Sequence, residues 1–412
     1  MLNTIDFKLP QLNEFQKNLP NKSGTSYHSY TEKTVTSVEE LSTVIKDAVR
    51  EKKIVRVRGS EHSPADHILR SDEEGVLLTL AGELKAITKL EALSSEDKLY
   101  VKAGAGCYLG ESPGQKGGRW EDSLCYFVNS KGFAFPVLGG ISYQSVGGFM
   151  MTGSAGGSLK HGFGDVIEEI TFVDGKGKKH TCPKGAEEVV EEVVEEVVKE
   201  EAEEAIEEED NEEKKNMFYA VGVSMGLFGV ITSVTFCFDK KKNEEAFLVK
   251  GKEETVEFKD SFLKNKEALN SSLDENEYYH LNWFPQKECN LVMQWTGKQV
   301  SLGEQVIPYK HSLKNDLAAA GASLVLQCCN GLLFSSCDSR YDLIGMLLKI
   351  FLRSSPPQTF CDYWFHALPS DNEAHVNDIM KVDFTEIWVP REKYAVVLEK
   401  LTSLYNNSDE GQ

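Results

Sequence analysis

Apolar positions along the chain fall first into a helical period. Val38, Leu41, Val44, Ile45, Ala48 and Val49 recur at three- and four-residue spacing behind Ser37, and Glu40 completes a capping-box pattern, so a helix opens at Ser37. The pattern then changes to short apolar runs that stop at turn residues. Ile54–Arg58, Val76–Leu80, Leu99–Ala103, Val166–Val173 and Val230–Phe238 each predict a strand. Beyond about Glu245 the character changes to aromatic-rich strands and amphipathic helices, with a helix at Arg391–Leu404. This mixed order predicts an α+β architecture rather than a regularly alternating parallel sheet. The apolar stretches Leu324–Phe334 and Leu343–Leu352 are short and interrupted, so they read as buried or amphipathic helices, not membrane spans.

A chain of 412 residues exceeds the usual single-domain length. The change of character divides it into an N-terminal extension (1–27), a first domain (28–240) and a second (245–412). The net charge of −20 belongs mostly to one place: residues Glu187 to Lys215 carry 16 acidic and 3 basic side chains, which leaves −7 for the rest. That balance offers no footprint for nucleic acid. The tract itself, Glu-Glu-Val-Val repeated and then nearly pure acid, reads as a solvated insertion, with docking of a basic partner as its functional alternative. Nine cysteines without paired spacing, behind a start that lacks a basic and then apolar leader, predict reduced thiols and a cytoplasmic protein. The histidines show no metal-ligand spacing.

Two glycine regions carry the candidate chemistry. Gly59-Ser60-Glu61-His62-Ser63-Pro64 follows the Ile54–Arg58 strand, where small residues leave backbone N–H groups free to converge on an anion. Leu138-Gly139-Gly140-Ile141-Ser142 continues through Gly147-Gly148 to Thr152-Gly153-Ser154-Ala155-Gly156-Gly157-Ser158. Each glycine costs about 1 kcal/mol relative to Ala in a helix interior, so this run predicts neither helix nor strand but backbone held against a ligand. Either region alone also reads as tight turns. Gly104-Ala105-Gly106 follows a strand too, but the next glycine, Gly110, has the wrong spacing for a dinucleotide-binding βαβ turn.

Together and in this order, these segments resemble the vanillyl-alcohol oxidase/p-cresol methylhydroxylase (PCMH) flavoproteins, and among them the sugar-lactone oxidases. The resemblance covers about residues 30–240 and closes with Gly222-Val223-Ser224-Met225-Gly226-Leu227-Phe228-Gly229-Val230-Ile231-Thr232. It implies a two-subdomain PCMH-type FAD-binding domain followed by an α+β substrate (cap) domain, in which His280–Pro285 and Leu291–Trp295 look like the family's aromatic strand pair and Val382–Pro390 like the strand that faces the flavin. It also implies FAD held by Arg58, Gly59, Ser60, Glu61, His62 and Ser63, and by Gly139, Gly140, Ser142, Val146, Gly147 and Gly148. Thr152, Gly153, Ser154, Gly156, Gly157 and Ser158 extend that set, and Gly229, Val230 and Ile231 complete it. By the same resemblance His62 is joined covalently to the flavin. A histidine with pKa near ~6.5 is largely neutral at pH 7, as attachment requires.

The implied reaction is oxidation of a CH–OH group of a sugar lactone or polyol by hydride transfer to flavin, with oxygen or another acceptor. In Val382–Pro390, Val382, Phe384, Glu386 and Trp388 share one face at period two. Glu386 is the candidate catalytic base, because a carboxylate among apolar neighbours has its pKa raised; an edge glutamate facing water is the other reading. The family often places arginine where Trp388 stands. Its members also usually continue beyond this strand, so a catalytically degenerate or fragmentary flavin-binding protein is the alternative. His161 reads as a loop histidine in solvent, with a place near the flavin as the other reading; Lys160 likewise, with phosphate contact as its alternative; and Tyr363-Trp364-Phe365-His366 reads as core rather than a stacking platform.

Overall fold

The computed structural model describes residues 30–60, 75–112, 118–185, 217–242, 244–286, 288–311, 356–369 and 389–407, with short helical pieces between 345 and 354. The expectations at Glu61, His62, Ser63, Glu386, Trp388 and the acidic tract lie outside these residues. The described chain forms three sheets.

The first sheet is parallel, with β1 (Tyr30–Val35), β3 (Gly75–Leu80) and β2 (Ile54–Arg58) in that order. Helix α1 (Val38–Arg50) makes the crossover that parallel strands need. The Ser37 hydroxyl accepts the Glu40 N–H at 3.1 Å, as the capping pattern predicts. The Glu40 carboxylate, however, takes the Thr36 N–H at 2.7 Å, so the box closes one residue early. Leu41, Ile45 and Ala48 are buried, whereas Val49 lies one residue off their line and is 58% exposed. The sequence predicts no β1: of residues 31–35 only Val35 is buried, so no apolar alternation announces it.

The second sheet is antiparallel, in the order β4 (Ile87–Lys89), β5 (Lys98–Gly104), β8 (Val230–Asp239), β6 (Ile167–Val173) and β7 (Lys179–Pro183). Val166, predicted to start a strand, belongs instead to the 3-10 turn Phe163–Val166, which closes because the Asp165 carboxylate accepts the Gly162 N–H at 2.7 Å. The third sheet, also antiparallel, runs β10 (Tyr278–Phe284), β11 (Leu291–Val300), β9 (Leu248–Glu257) and β12 (Gln358–Tyr363). The change of sheet falls between Asp239 and Leu248, close to where the sequence changes character.

One core crosses that change. The Phe135 ring lies 5.1 Å from Phe163, 4.9 Å from Phe238 and 6.1 Å from Trp364. Trp364 opens the short helix α5 (Trp364–Ala367) and reaches Phe247 at 6.5 Å. Ring pairs of this kind add roughly 0.5–1.5 kcal/mol each beyond their burial. Helices α2 (Leu124–Ser130), α3 (Val146–Met151), α4 (Lys266–Glu275) and α6 (Tyr394–Asn407) complete the labelled elements. Among the described residues no helix is long and apolar enough to cross a membrane.

Candidate cofactor site

The two glycine regions meet. Beyond the end of β2, the Ser60 hydroxyl donates to the Tyr143 carbonyl at 2.5 Å, and a Cβ on Gly59 would stand 2.5 Å from the Ser145 Oγ. Residues 142–147 run antiparallel to 105–110. Gly110 donates to the Ser142 carbonyl at 2.5 Å, Leu109 to Gln144 at 2.9 Å, Val146 to Cys107 at 2.9 Å and Gly147 to Ala105 at 2.8 Å. The Gly104-Ala105-Gly106 stretch therefore serves as the rail on which the second glycine region lies.

Contrary to the sequence expectation, part of that region is helical. The Ser145 hydroxyl caps α3, accepting the Gly148 N–H at 3.3 Å. Gly147 is required there by packing, since its Cβ would come 3.1 Å from that of Ala105. Close packing overrides the low helix propensity of glycine over so short an element.

Downstream, the Thr152 hydroxyl donates to the Gly148 carbonyl at 3.0 Å and lies 3.1 Å from that of Ser154. Gly153 has φ +65°, a conformation costly for other residues. A Cβ on Gly156 would stand 2.2 Å from the Leu138 carbonyl oxygen, and one on Gly157 1.9 Å from that of Tyr279. The Gly157 carbonyl accepts the Tyr279 N–H at 2.7 Å, covering the edge of β10. Gly139 crowds the Phe149 ring, and Gly229, at φ +145°, crowds the Val173 carbonyl. Most of these glycines thus fit the chain's own backbone together. Gly140 lies in the bend that follows Gly139.

Several named side chains are engaged elsewhere. Arg58 turns back onto the first sheet, forking onto the Glu32 carboxylate at 3.2 Å and reaching Thr79 at 3.3 Å. Val146, Val230 and Ile231 are buried in the core, which leaves only their backbone for a ligand. Ser142 is buried, and the Ser158 hydroxyl accepts the Lys160 and His161 N–H groups at 3.1 Å each.

The junction suits a pyrophosphate chemically. Residues 131–164 contain no Asp or Glu in a chain of net charge −20, while serine, threonine and glycine supply hydroxyls and amides. His161 is half-buried rather than in open solvent, which corrects the sequence reading. Burial lowers its pKa, its ring lies 5.8 Å from Tyr278, and its Nε2 is buried with no hydrogen-bond partner among the described residues. Tyr278 is held by its own bonds, donating to the Pro136 carbonyl at 2.7 Å with Gln299 at 2.7 Å. Beside it on the same face of β10, burial pushes His280 down to about 4, so its imidazole is neutral. A buried imidazole nitrogen without a partner among the described residues, three residues beyond Ser158 in sequence, fits a polar ligand. Ser145 and the Tyr143 carbonyl, which hold this junction, were not singled out by sequence. The available signal was Ser145 three residues ahead of Gly148, an N-cap spacing.

Comparison with known proteins connects this region with flavin nucleotides. Residues 33–183 match the family described as FAD binding domain. The D-arabinono-1,4-lactone oxidase of Candida glabrata is 27% identical over 265 residues, which are 63% of this chain and 40% of that protein. The L-gulonolactone oxidase of Bos taurus is 26% identical over 255 residues, 61% of this chain and 45% of the other. The match to such relatives thus spans less than half of their length. Cholesterol oxidase from B. sterolicum superposes with a TM-score of 0.64 at 12% identity, over 94% of this chain and 67% of that one, which speaks for the fold. Over residues 33–183 the chain is thus similar to FAD-binding domains, and over a somewhat longer stretch to lactone oxidases.

Proposed function

We propose that this protein is an FAD-dependent oxidoreductase that oxidises a CH–OH group of a sugar lactone or related polyol and passes the electrons to oxygen or another acceptor. The observation that carries the reading is the Ser60–Tyr143 hydrogen bond, which joins both glycine regions inside the stretch that matches FAD-binding domains. The substrate class follows from relatives named as lactone oxidases.

Bound at this junction, FAD supplies the two-electron acceptor for the oxidation. The chain's own residues orient and hold. The backbone of Gly59, Ser60 and the Gly139–Ser158 stretch lies against the pyrophosphate. His62, two residues beyond Ser60, is the covalent attachment point through a neutral imidazole nitrogen. Glu386 takes the substrate hydroxyl proton. Residues 28–240 act as the FAD-binding unit and 245–412 as the substrate unit, with the acidic tract as an insertion able to meet a basic partner. The six cysteines found free and buried among the described residues support a reducing, cytoplasmic setting.

The test is direct. Purified protein should be yellow, its flavin should survive acid precipitation, and His62→Ala should release it. A lactone or polyol should bleach that flavin under anaerobic conditions, and Glu386→Gln should slow bleaching without loss of flavin. Folded protein that is colourless and refuses added FAD sinks the proposal. Flavin that no lactone or polyol bleaches leaves a binding protein without turnover.

A further inference from the structure

The third sheet has a second face. Trp295, Phe360 and Tyr278 project towards the core, and the opposite face carries a cavity of about 720 Å³ roofed by α4. The strand register places charge there in rows. Lys298 on β11 stands opposite Lys250 on β9, which stands opposite Cys361 on β12. One step along, Thr296, Lys252 and Thr359 form the next row. Like charges directly opposite across antiparallel strands repel, and Lys252 adds a third at i+2 on the same face.

The chain answers this crowding only in part. Glu304 meets Lys250 at 3.2 Å and Glu254 meets Lys252 at 3.3 Å, both as exposed pairs that contribute little. Lys298 makes no ion pair among the described residues. Three ammonium groups therefore line a cavity whose other lining charges are Glu275 and Glu304. Thr296, 3% exposed, forms part of its floor and Ser272, 8% exposed, part of its roof. Lys250, Lys252, Lys298 and Thr359 are exposed at the mouth of this half-open space, so a ligand would reach them from solvent and rest against the buried Thr296 and Ser272.

We propose that this cavity binds a small oxyanion of at least two negative charges, a phosphate monoester or a di- or tricarboxylate, through Lys298, Lys250 and Lys252 with the Thr296 and Thr359 hydroxyls. A dianion satisfies Lys298 and competes with Glu304 for Lys250; a monovalent anion does only one of these. The site lies on the face turned away from the glycine junction and is independent of the FAD reading.

Calorimetric titration of the full, flavin-loaded chain tests this, with inorganic phosphate and citrate as separate probes at matched ionic strength. Saturable one-to-one binding of either probe is expected, phosphate assigning the monoester class and citrate the polycarboxylate class. Lys298→Gln and Lys250→Gln should each weaken it about tenfold, a change equal to one factor of ten in Kd. Lys298→Arg should restore binding, and Lys241→Gln, on an exposed turn outside the cavity, should leave it within about twofold. Flavin content should not change in any variant, which also shows that each one folds. Non-saturating heats with both probes, or equal weakening by Lys241→Gln and Lys298→Gln, overturn the proposal.

Discussion

The Ser60 hydroxyl donates to the carbonyl oxygen of Tyr143 at 2.5 Å, and through that bond the end of a parallel strand holds a loop far along the chain. Gly59 makes the contact possible, because any side chain there would collide with the Ser145 hydroxyl. Ser145 in turn caps α3, so strand end, loop and helix start form one unit.

Ser60→Ala leaves the buried Tyr143 carbonyl without this donor. Loss of one such bond costs about 1–3 kcal/mol when the abandoned group stays buried. Chemical denaturation should show a loss of that order, and FAD affinity, read from flavin fluorescence, should fall because the junction loosens. Unchanged FAD affinity together with lowered stability would confine Ser60 to a structural role.

The glycines separate into those that must be glycine and those that need not be. Gly156→Ala and Gly157→Ala each push a methyl group against a carbonyl oxygen, at 2.2 and 1.9 Å. Gly164 has nothing within 4 Å of its Cβ position and no positive φ. The first two substitutions should cost roughly 1–3 kcal/mol or more by overpacking and displace the segment from β10. Gly164→Ala should stay within about 0.5 kcal/mol of wild type. Equal melting temperatures for all three would overturn the packing account.

The elements legible in the sequence are those marked by apolar runs or periodicity, α1, β2, β3, β5, β6, β8 and α6, and, through the family resemblance, the β10–β11 pair. Strand β1 was not, because its backbone does the pairing while residues 31–34 face solvent. Helix α3 was not, because its glycines are chosen by Ala105 and the Ser145 cap, and neither constraint is local in sequence. The site was legible in outline. The glycine regions were found, but their purpose was read as approach to a ligand, where the structure shows much of it to be approach to the chain itself. Arg58 illustrates the limit: next to the junction in sequence, it is spent on Glu32.

His161 tests whether the end of the second glycine region serves the cofactor. Its Nε2 is buried without a partner among the described residues, a condition that costs a protein about 1–3 kcal/mol. His161→Phe removes that nitrogen while keeping a ring beside Tyr278. Melting of the FAD-free protein should rise or hold, whereas the stabilisation gained on adding FAD should shrink. An undiminished gain would separate His161 from the flavin.

Glu244 gives the pH dependence its sign. It is 3% exposed, and its carboxylate accepts the Asp239 N–H at 2.5 Å. Burial, aided by the Asp239 and Asp165 charges and opposed by that backbone bond and Lys242, pushes its pKa up from 4.5 to about 7. The folded state therefore holds a proton that the unfolded state has released between those values. The contribution to stability is complete below pH 4.5 and is lost as pH rises to 7, by roughly 3 kcal/mol in all. Glu244→Gln keeps an acceptor for the Asp239 N–H but has no proton to lose. Relative to wild type, the variant should therefore gain about 2–3 kcal/mol between pH 4.5 and pH 8 in denaturant unfolding. Parallel pH profiles for the two proteins would mean that Glu244 ionises as readily in the fold as in the open chain.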